Sequence, residues 1–395
     1  MKTYQDFLAL GEDEKQRMDF IRQAINEHKS SQAYQLALDA ELYFKGENPT
    51  INRYEKIIYD LQGRAHRDMY TANHKIASSF FGFDVRQEVS YLLGNGVTFQ
   101  EETTKEKLGK KFDLMMVKAA RYALIAGISF GLFNLDHVDV FKLTEFAPLY
   151  DEENGALMAG VRFWQVAEDK PMRATLYEVD GYTDYIQRKG EDMTVLKEKR
   201  PYIQRVRTSP ADGTEIYAGQ NYPSFPIVPL RNGEDALSEL VGKRNTLDAL
   251  DLCTSNMVNN VDEGNLIYWV LQNAGGMNDL DDQKFLDKVR TMHIVHAGSV
   301  EDEGATAEPH TIEAPFQGTD ATINMLKRKL YEDFQAFDSS AVSAGNQTAT
   351  AIEASYTPLD LKADDFEASV TEFILGLLVV AGIDDEPSYT RSRII

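Results

Sequence analysis

The chain has 395 residues, room for two or three ordinary domains or one elongated subunit, and 43% of them are hydrophobic, enough to bury a core. Its formal charge of −22 argues against tight clamping of nucleic acid, which needs Lys and Arg to displace counterions from phosphates. The single cysteine, Cys253, excludes an internal disulfide framework, residues 1–20 hold no continuous apolar stretch of the secretory kind, and the most apolar run (373–383) is too short to span a bilayer, so the sequence predicts a soluble, intracellular protein.

In chain order, residues 3–43 carry apolar positions at near-helical spacing and predict one or two surface helices; NPTINRYE (48–55) reads as a turn. ANHKIASSFFGFDVRQEVSYLLGNGVTF (72–99) predicts a helix to Leu93, stopped by Gly94-Asn95-Gly96, then a short strand. An amphipathic helix follows over 105–127. From Ser129 the texture changes to short β-rich runs separated by DEENGA, EDKP, KGED and SPADG, which predicts an antiparallel meander. It ends at YPSFPIVPLRNGED (222–235), read as an extended strand and a turn.

The period then turns helical again. Leu237, Leu240, Leu247, Leu250, Met257 and Val261 form one narrow stripe, with caps expected at Asn232 to Asp235 and a stop at Gly264. Residues 266–315 read as a small α/β insert, with LIYWVLQNA, MHIVHAG and PHTIEAP strand-like and DDQKFLDKVRT helical. A second seam helix carries Ile323, Leu326, Leu330, Phe334 and Phe337, capped by Thr319 or Asp320. Next comes AVSAGNQTATAIEAS (341–355), small and almost chargeless, running into a final helix bent at Pro358.

No phosphate-binding GxxxxGK[ST] or GxGxxG motif occurs in the sequence. His293 and His296 stand three apart, which on a strand sends them to opposite faces. Cys253 has acidic neighbours and no nearby cation. The residues yield no catalytic constellation, no metal site and no cofactor. Two other classes stay open on residues alone: a metal-dependent enzyme using His293, His296 and His310, and a monomeric acidic adaptor or DNA mimic.

Four strings in fixed order carry a resemblance: ANHKIASSFFGFDVRQEVSYLLGNGVTF, FNLDHVDVFKLTEFAPLYD, FPIVPLRNGEDALSELVGKRNTLDALDLCTSNMVNNVDE and GNQTATAIEASYTPLDLKADDFE. The chain resembles portal proteins of tailed bacteriophages, of the type found in siphophages of Gram-positive hosts, over about residues 50–380. The resemblance implies an α+β portal fold: an α/β wing over 1–234, a stem of two helices at 235–264 and 317–338, and a small α/β clip at 265–316. A tunnel loop at 339–348, a kinked wing helix at 349–383 and a tail at 384–395 in place of a full crown complete it.

The resemblance further implies a dodecameric ring of this chain at one capsid vertex of the virion, assembled in the host bacterial cytoplasm and making no membrane contact. Double-stranded DNA would pass through the ring. The terminase large subunit, major capsid and scaffold proteins, and a head-completion or tail connector protein would be its partners. Ser339, Ser340, Val342, Ser343, Asn346 and Gln347 would face DNA; Leu240, Leu247, Leu250, Ile323, Leu326 and Leu330 would hold the stem together; Met277, Asn278, Asp279 and Asp281 would dock partners. A neutral loop suits such a channel, because Lys or Arg repeated around a ring would brake DNA by binding phosphates. A plain linker between helices is the other reading of the same residues.

Overall fold

The computed structural model describes residues 2–59, 62–69, 71–208, 215–264, 267–272, 306–311, 316–340 and 348–393. It opens with α1 (Tyr4–Leu8), α2 (Glu14–Ser30) and α3 (Gln32–Lys45), started by Thr3, Asp13 and Ser31, whose side chains each accept from the backbone N–H three residues on. These are three helices where one or two were expected. Nor do they lie only on the surface: Phe7, Phe20, Ile21 and Ile25 are buried in one core with Val161, Phe163 and Leu176 of the sheet.

The expected turn at 48–55 holds a short helix, α4 (Pro49–Arg53), and a hairpin of β1 (Ile57–Tyr59) and β2 (Ala65–Arg67) follows. The next helix, α5 (Phe80–Leu93), starts at Phe80 rather than Ala72. The reason is visible upstream: the N–H groups of His74 and Ile76 donate to Asn259 Oδ1 (2.7 Å) and Ser255 Oγ (2.9 Å), so those donors are committed elsewhere. After β3 (Val97–Phe99), the helix expected over 105–127 is two, α6 (Glu102–Lys107) and α7 (Phe112–Ala126). Gly109 separates them at φ 101°, with the Asp136 carbonyl where a Cβ would sit 2.7 Å away.

The strands then run β4 (Ile128–Asn134), β5 (His137–Lys142), β6 (Phe146–Tyr150), β7 (Leu157–Trp164), β8 (Met172–Glu178), β9 (Gly181–Gln187), β10 (Thr194–Arg200), β11 (Ile203–Thr208), β12 (Glu215–Gln220) and β13 (Ile227–Arg231). The expected meander is present as an antiparallel sheet in the order β10-β9-β8-β7-β6. β13 returns to the start of the region and pairs with β4, with Val228 opposite Gly131, to give a sheet in the order β13-β4-β5.

The remaining elements are α8 (Arg244–Gly264), the antiparallel pair β14 (Ile267–Gln272) and β15 (Thr306–Thr311), α9 (Phe316–Asp333), α10 (Ala349–Ser355), α11 (Thr357–Ala381) and β16 (Pro387–Tyr389), which pairs with β3. Three expectations need correction. The first seam helix begins at Arg244, not at 235, because positive φ at Gly233, Ala236 and Gly242 forces turns. The second begins at Phe316, ahead of the expected caps, and ends at Asp333, where Gln335 takes φ 53°. The final kinked helix is two helices parted at Tyr356, with Pro358 in the first turn of α11, where its missing N–H leaves no bond unmade. Residues 267–272 of LIYWVLQNA are the strand β14 and residues 309–311 of PHTIEAP fall in β15; the rest of both strings, DDQKFLDKVRT and MHIVHAG lie outside the described residues.

The chain divides into two compact units, Met1–Pro49 with Ala77–Leu247 and Arg328–Ile395, and Thr50–Ile76 with Asp248–Lys327. In the first, α11 lies on the β13-β4-β5 sheet and buries Phe366, Val370, Phe373, Ile374 and Leu377, each side chain contributing roughly 1.5–3 kcal/mol. Its close approach is built from small residues: a Cβ on Gly131 would meet Phe373 at 2.5 Å, and one on Gly376 would meet Val228 at 2.7 Å. The second unit joins the 50–76 segment, expected in the wing, to α8 through Ser255 and Asn259. Among the described residues no helix is long and apolar enough to cross a membrane.

Candidate functional site

The residues on either side of the 339–348 segment are fixed within the first unit. On the leaving side Gln87 of α5 grips the backbone of Phe337 twice: its amide donates to the Phe337 carbonyl (2.9 Å) and its carbonyl accepts the Phe337 N–H (2.8 Å). On the returning side Tyr356, between α10 and α11, stacks on Phe337 with ring centroids 4.0 Å apart and planes 9° from parallel. Tyr91 of α5 stacks on the other ring of the ladder, Tyr356, at 5.9 Å. Each such pair contributes about 0.5–1.5 kcal/mol beyond its buried area.

Arg393 seals the ladder. Its guanidinium lies over the Tyr356 ring, donates from Nε to the Tyr91 hydroxyl (3.0 Å), and donates from Nη2 to both oxygens of Asp360 (2.8 and 2.9 Å). The Tyr91 hydroxyl also bonds to Asp360. Thr348 caps α10 by accepting from the Ala351 N–H at 3.3 Å. Phe337 and Tyr356, one on each side of the segment, are therefore both tied to α5 and to each other.

One turn further along α11 lies a buried charge cluster. Lys362 Nζ stands 3.0 Å from Asp84 Oδ2, 2.8 Å from Glu88 Oε2 and 3.4 Å from Glu239 Oε2. Asp84 and Glu88 are one α5 turn apart, and Glu239 comes from the turn before α8, held by Lys243 (2.7 Å) and the Asn232 amide (3.0 Å). The Phe334 ring, just past α9, lies beneath both ammonium groups, 5.9 Å from Lys362 and 4.7 Å from Lys243. Beside the cluster opens a cleft of about 370 Å³ lined by Asn232, Glu234, Leu237, Lys243 and Gln335.

Burial pushes Glu88 up to about 7 and Asp84 up to about 6, with Lys362 only partly offsetting it. Burial works on Glu239 too, but Lys362 and Lys243 together hold it at about 2. Lys362 itself is raised: burial opposes its charge, and the three carboxylates outweigh burial. The three carboxyl groups offer oxygens within 4.8 Å of one another, a spacing that suits a metal ion, but the Lys362 ammonium already sits among them as the cation. The cluster is a junction that ties α5, α11 and the turn before α8 together.

The expected site residues divide unevenly. Leu240, Leu247, Leu250, Ile323 and Leu330 are all buried within the single chain and Leu326 is half-buried. Leu240 lies in the turn before α8 rather than on the helix. Ser339 and Ser340 are exposed, and Asp338 Oδ1 accepts from the Ser340 N–H (2.9 Å) and hydroxyl (2.6 Å). Val342, Ser343, Asn346 and Gln347, the clip residues Met277, Asn278, Asp279 and Asp281, and His293 and His296 lie outside the described residues. His310 stands in β15, opposite Tyr268.

Sequence reasoning missed the ladder and the charge cluster. A signal for the cluster existed: Asp84 and Glu88 interrupt the apolar face of α5, and Lys362 interrupts that of α11 beside Leu359, Ala363 and Phe366. Opposite charges at apolar-face positions of two helices point to a buried pair.

The family model described as "Phage portal protein, SPP1 Gp6-like" matches residues 23–381. The portal protein of Bacillus phage SPP1 is 24% identical over 378 residues, covering 89% of this chain and 69% of that one. The portal protein of Clostridium phage phiCD119 is 22% identical over 391 residues, covering 90% of this chain and 82% of that one. Among solved structures, a chain of the virion of a native gene transfer agent particle aligns with a TM-score of 0.45 at 10% identity, covering 78% of this chain and 79% of that one. A chain of the neck of the native particle aligns with a TM-score of 0.43 at 11% identity, over 79% and 80%.

Proposed function

This chain belongs to the SPP1 Gp6-like family of phage portal proteins, and on that premise we propose that it forms a homo-oligomeric, dodecameric ring at one vertex of a capsid. Double-stranded DNA is packaged and ejected through the ring. The terminase large subunit docks on it during packaging, capsid and scaffold proteins surround it during assembly in the host cytoplasm, and a tail connector replaces the motor later. In this reading 1–234 and 349–383 form the wing, α8 and α9 the stem, 265–316 the clip and 339–348 the tunnel loop.

The observation that carries the proposal is the family match, which spans 23–381 and so takes in both compact units. Two physical features support it. The charge of −22 makes a channel of this chain repel phosphates, so that a duplex slides without sticking. The Phe337–Tyr356–Tyr91 ladder gives a loop that must meet moving DNA a base that stays in place.

Electron microscopy and native mass measurement of the purified protein test the ring. A large discrete ring is expected, and a monomer near 44.6 kDa overturns the proposal. The channel assignment has its own test, Val342→Lys combined with Ser343→Lys. Heads should assemble normally but package slowly or stall, with relief at higher salt; wild-type packaging rates and DNA retention would remove the loop from the channel.

A further inference from the structure

The wing holds a second cavity, remote in sequence from the charge cluster. It measures about 170 Å³, opens to the surface between α3, α7 and β5, and is lined by Glu41, Phe44, Lys45, Arg121, Tyr122 and Lys142. That is several times the roughly 30 Å³ share of one water. Its walls are apolar and aromatic and its polar groups are mostly cationic. Lys142 pairs with Glu41 at 3.1 Å, and both Lys118 (5.6 Å) and Lys142 (5.2 Å) stand over the Tyr122 ring.

Two of the cations have nothing to answer them. Among the described residues Arg121 and Lys45 make no ion pair, and Arg121 Nε is buried without a hydrogen-bond partner. A buried N–H with no acceptor is destabilising unless one arrives from outside. In a chain with 63 acidic and 41 basic residues an unsatisfied basic cavity is the exception, and the acid-rich surface most available to it is that of another copy of the chain.

We infer that this cavity is a socket for a carboxylate side chain of an adjacent copy, its acid accepting from the Arg121 guanidinium while its stem lies on Phe44 and Tyr122. Arg suits this task because its planar fork meets a carboxylate with two parallel bonds. A DNA phosphate fits less well, since duplex contacts need a strip of exposed cations and this feature is a single concave, apolar-walled hole. The inference rests on the ring reading above and adds to it a place where two copies meet.

The test is zero-length carbodiimide cross-linking of rings assembled from equal parts of unlabelled and ¹⁵N-labelled protein, followed by peptide mass spectrometry. Lys45 is exposed at the cavity and provides the amine. A Lys45 cross-link to an Asp or Glu peptide, joining one light and one heavy chain, is the expected result. In parallel, Arg121→Gln should raise the apparent dissociation constant for assembly by tenfold to a hundredfold or more, on the order of the cost of truncating a buried charge pair, and Arg121→Lys should recover part of it. If wild-type rings form but Lys45 links only within its own chain, or its acetylation is blocked by added duplex DNA and not by assembly, the socket is wrong and the ring stands. If the wild-type protein is monomeric in the same samples, the ring reading itself has failed.

Discussion

Lys362 carries one positive charge into a site with three carboxyl groups, and Lys243 adds only one more. One carboxyl is therefore in surplus. Burial raises all three, leaving Glu88 at about 7 and Asp84 at about 6, above their ordinary values of 4.5 and 3.8, while Lys362 and Lys243 together hold Glu239 below its own, at about 2, so the surplus falls on the Asp84–Glu88 pair. Raised acids bind more protons folded than unfolded, so their contribution is present at low pH and is lost as pH rises through the folded values. The depressed Glu239 acts oppositely, stabilising above its ordinary range and losing that contribution as pH falls through it. The thermal midpoint should accordingly fall between pH 5 and pH 7. Glu88→Gln should flatten that slope and gain on the order of 2 kcal/mol over wild type at pH 8, read by denaturant titration; an unchanged slope would show that Glu88 is ionised throughout. Lys362→Met strands the carboxylates and should cost about 3–5 kcal/mol. Such residues are hard to read from sequence because a charge at an apolar-face position gains its meaning only from a partner on another helix, here 278 residues away in the case of Asp84 and Lys362.

At the scale of elements, the β region was legible because alternation and turn signals act locally: the meander needs no distant information to declare itself. Seam helices were legible in kind but not in extent. A stripe of leucines continues through Leu237 and Leu240, yet Ala236 and Gly242 take left-handed φ and the helix waits until Arg244. Nothing in the periodicity marks an alanine at φ 50°. The same limit hid the start of α5, whose preceding donors are taken by side chains of α8. Close packing of α11 on its sheet yields a sharper expectation. Gly131→Val and Gly376→Leu each place atoms where Phe373 or Val228 already stands, and each should cost about 1–3 kcal/mol in the denaturant midpoint. If either is neutral, α11 does not lie this close to β4 and β13.

At the scale of the whole molecule, the proposed clip and tunnel loop should separate genetically. Deleting 275–281 is expected to leave ring assembly intact while abolishing packaging or tail attachment, and a normal infectious yield would remove that segment from partner docking. The Phe337–Tyr356 stack has a consequence for how the proposed tunnel segment can vary. The stack holds the two flanks together, so a flexible Gly-Ser run inserted between Ser340 and Thr348 should add only loop-closure entropy, which rises about 0.6 kcal/mol with each doubling of a flexible loop. Such insertions should barely move the stability of the fold, and any limit on the length of this stretch would then come from the ring proposed above rather than from the packing of the chain.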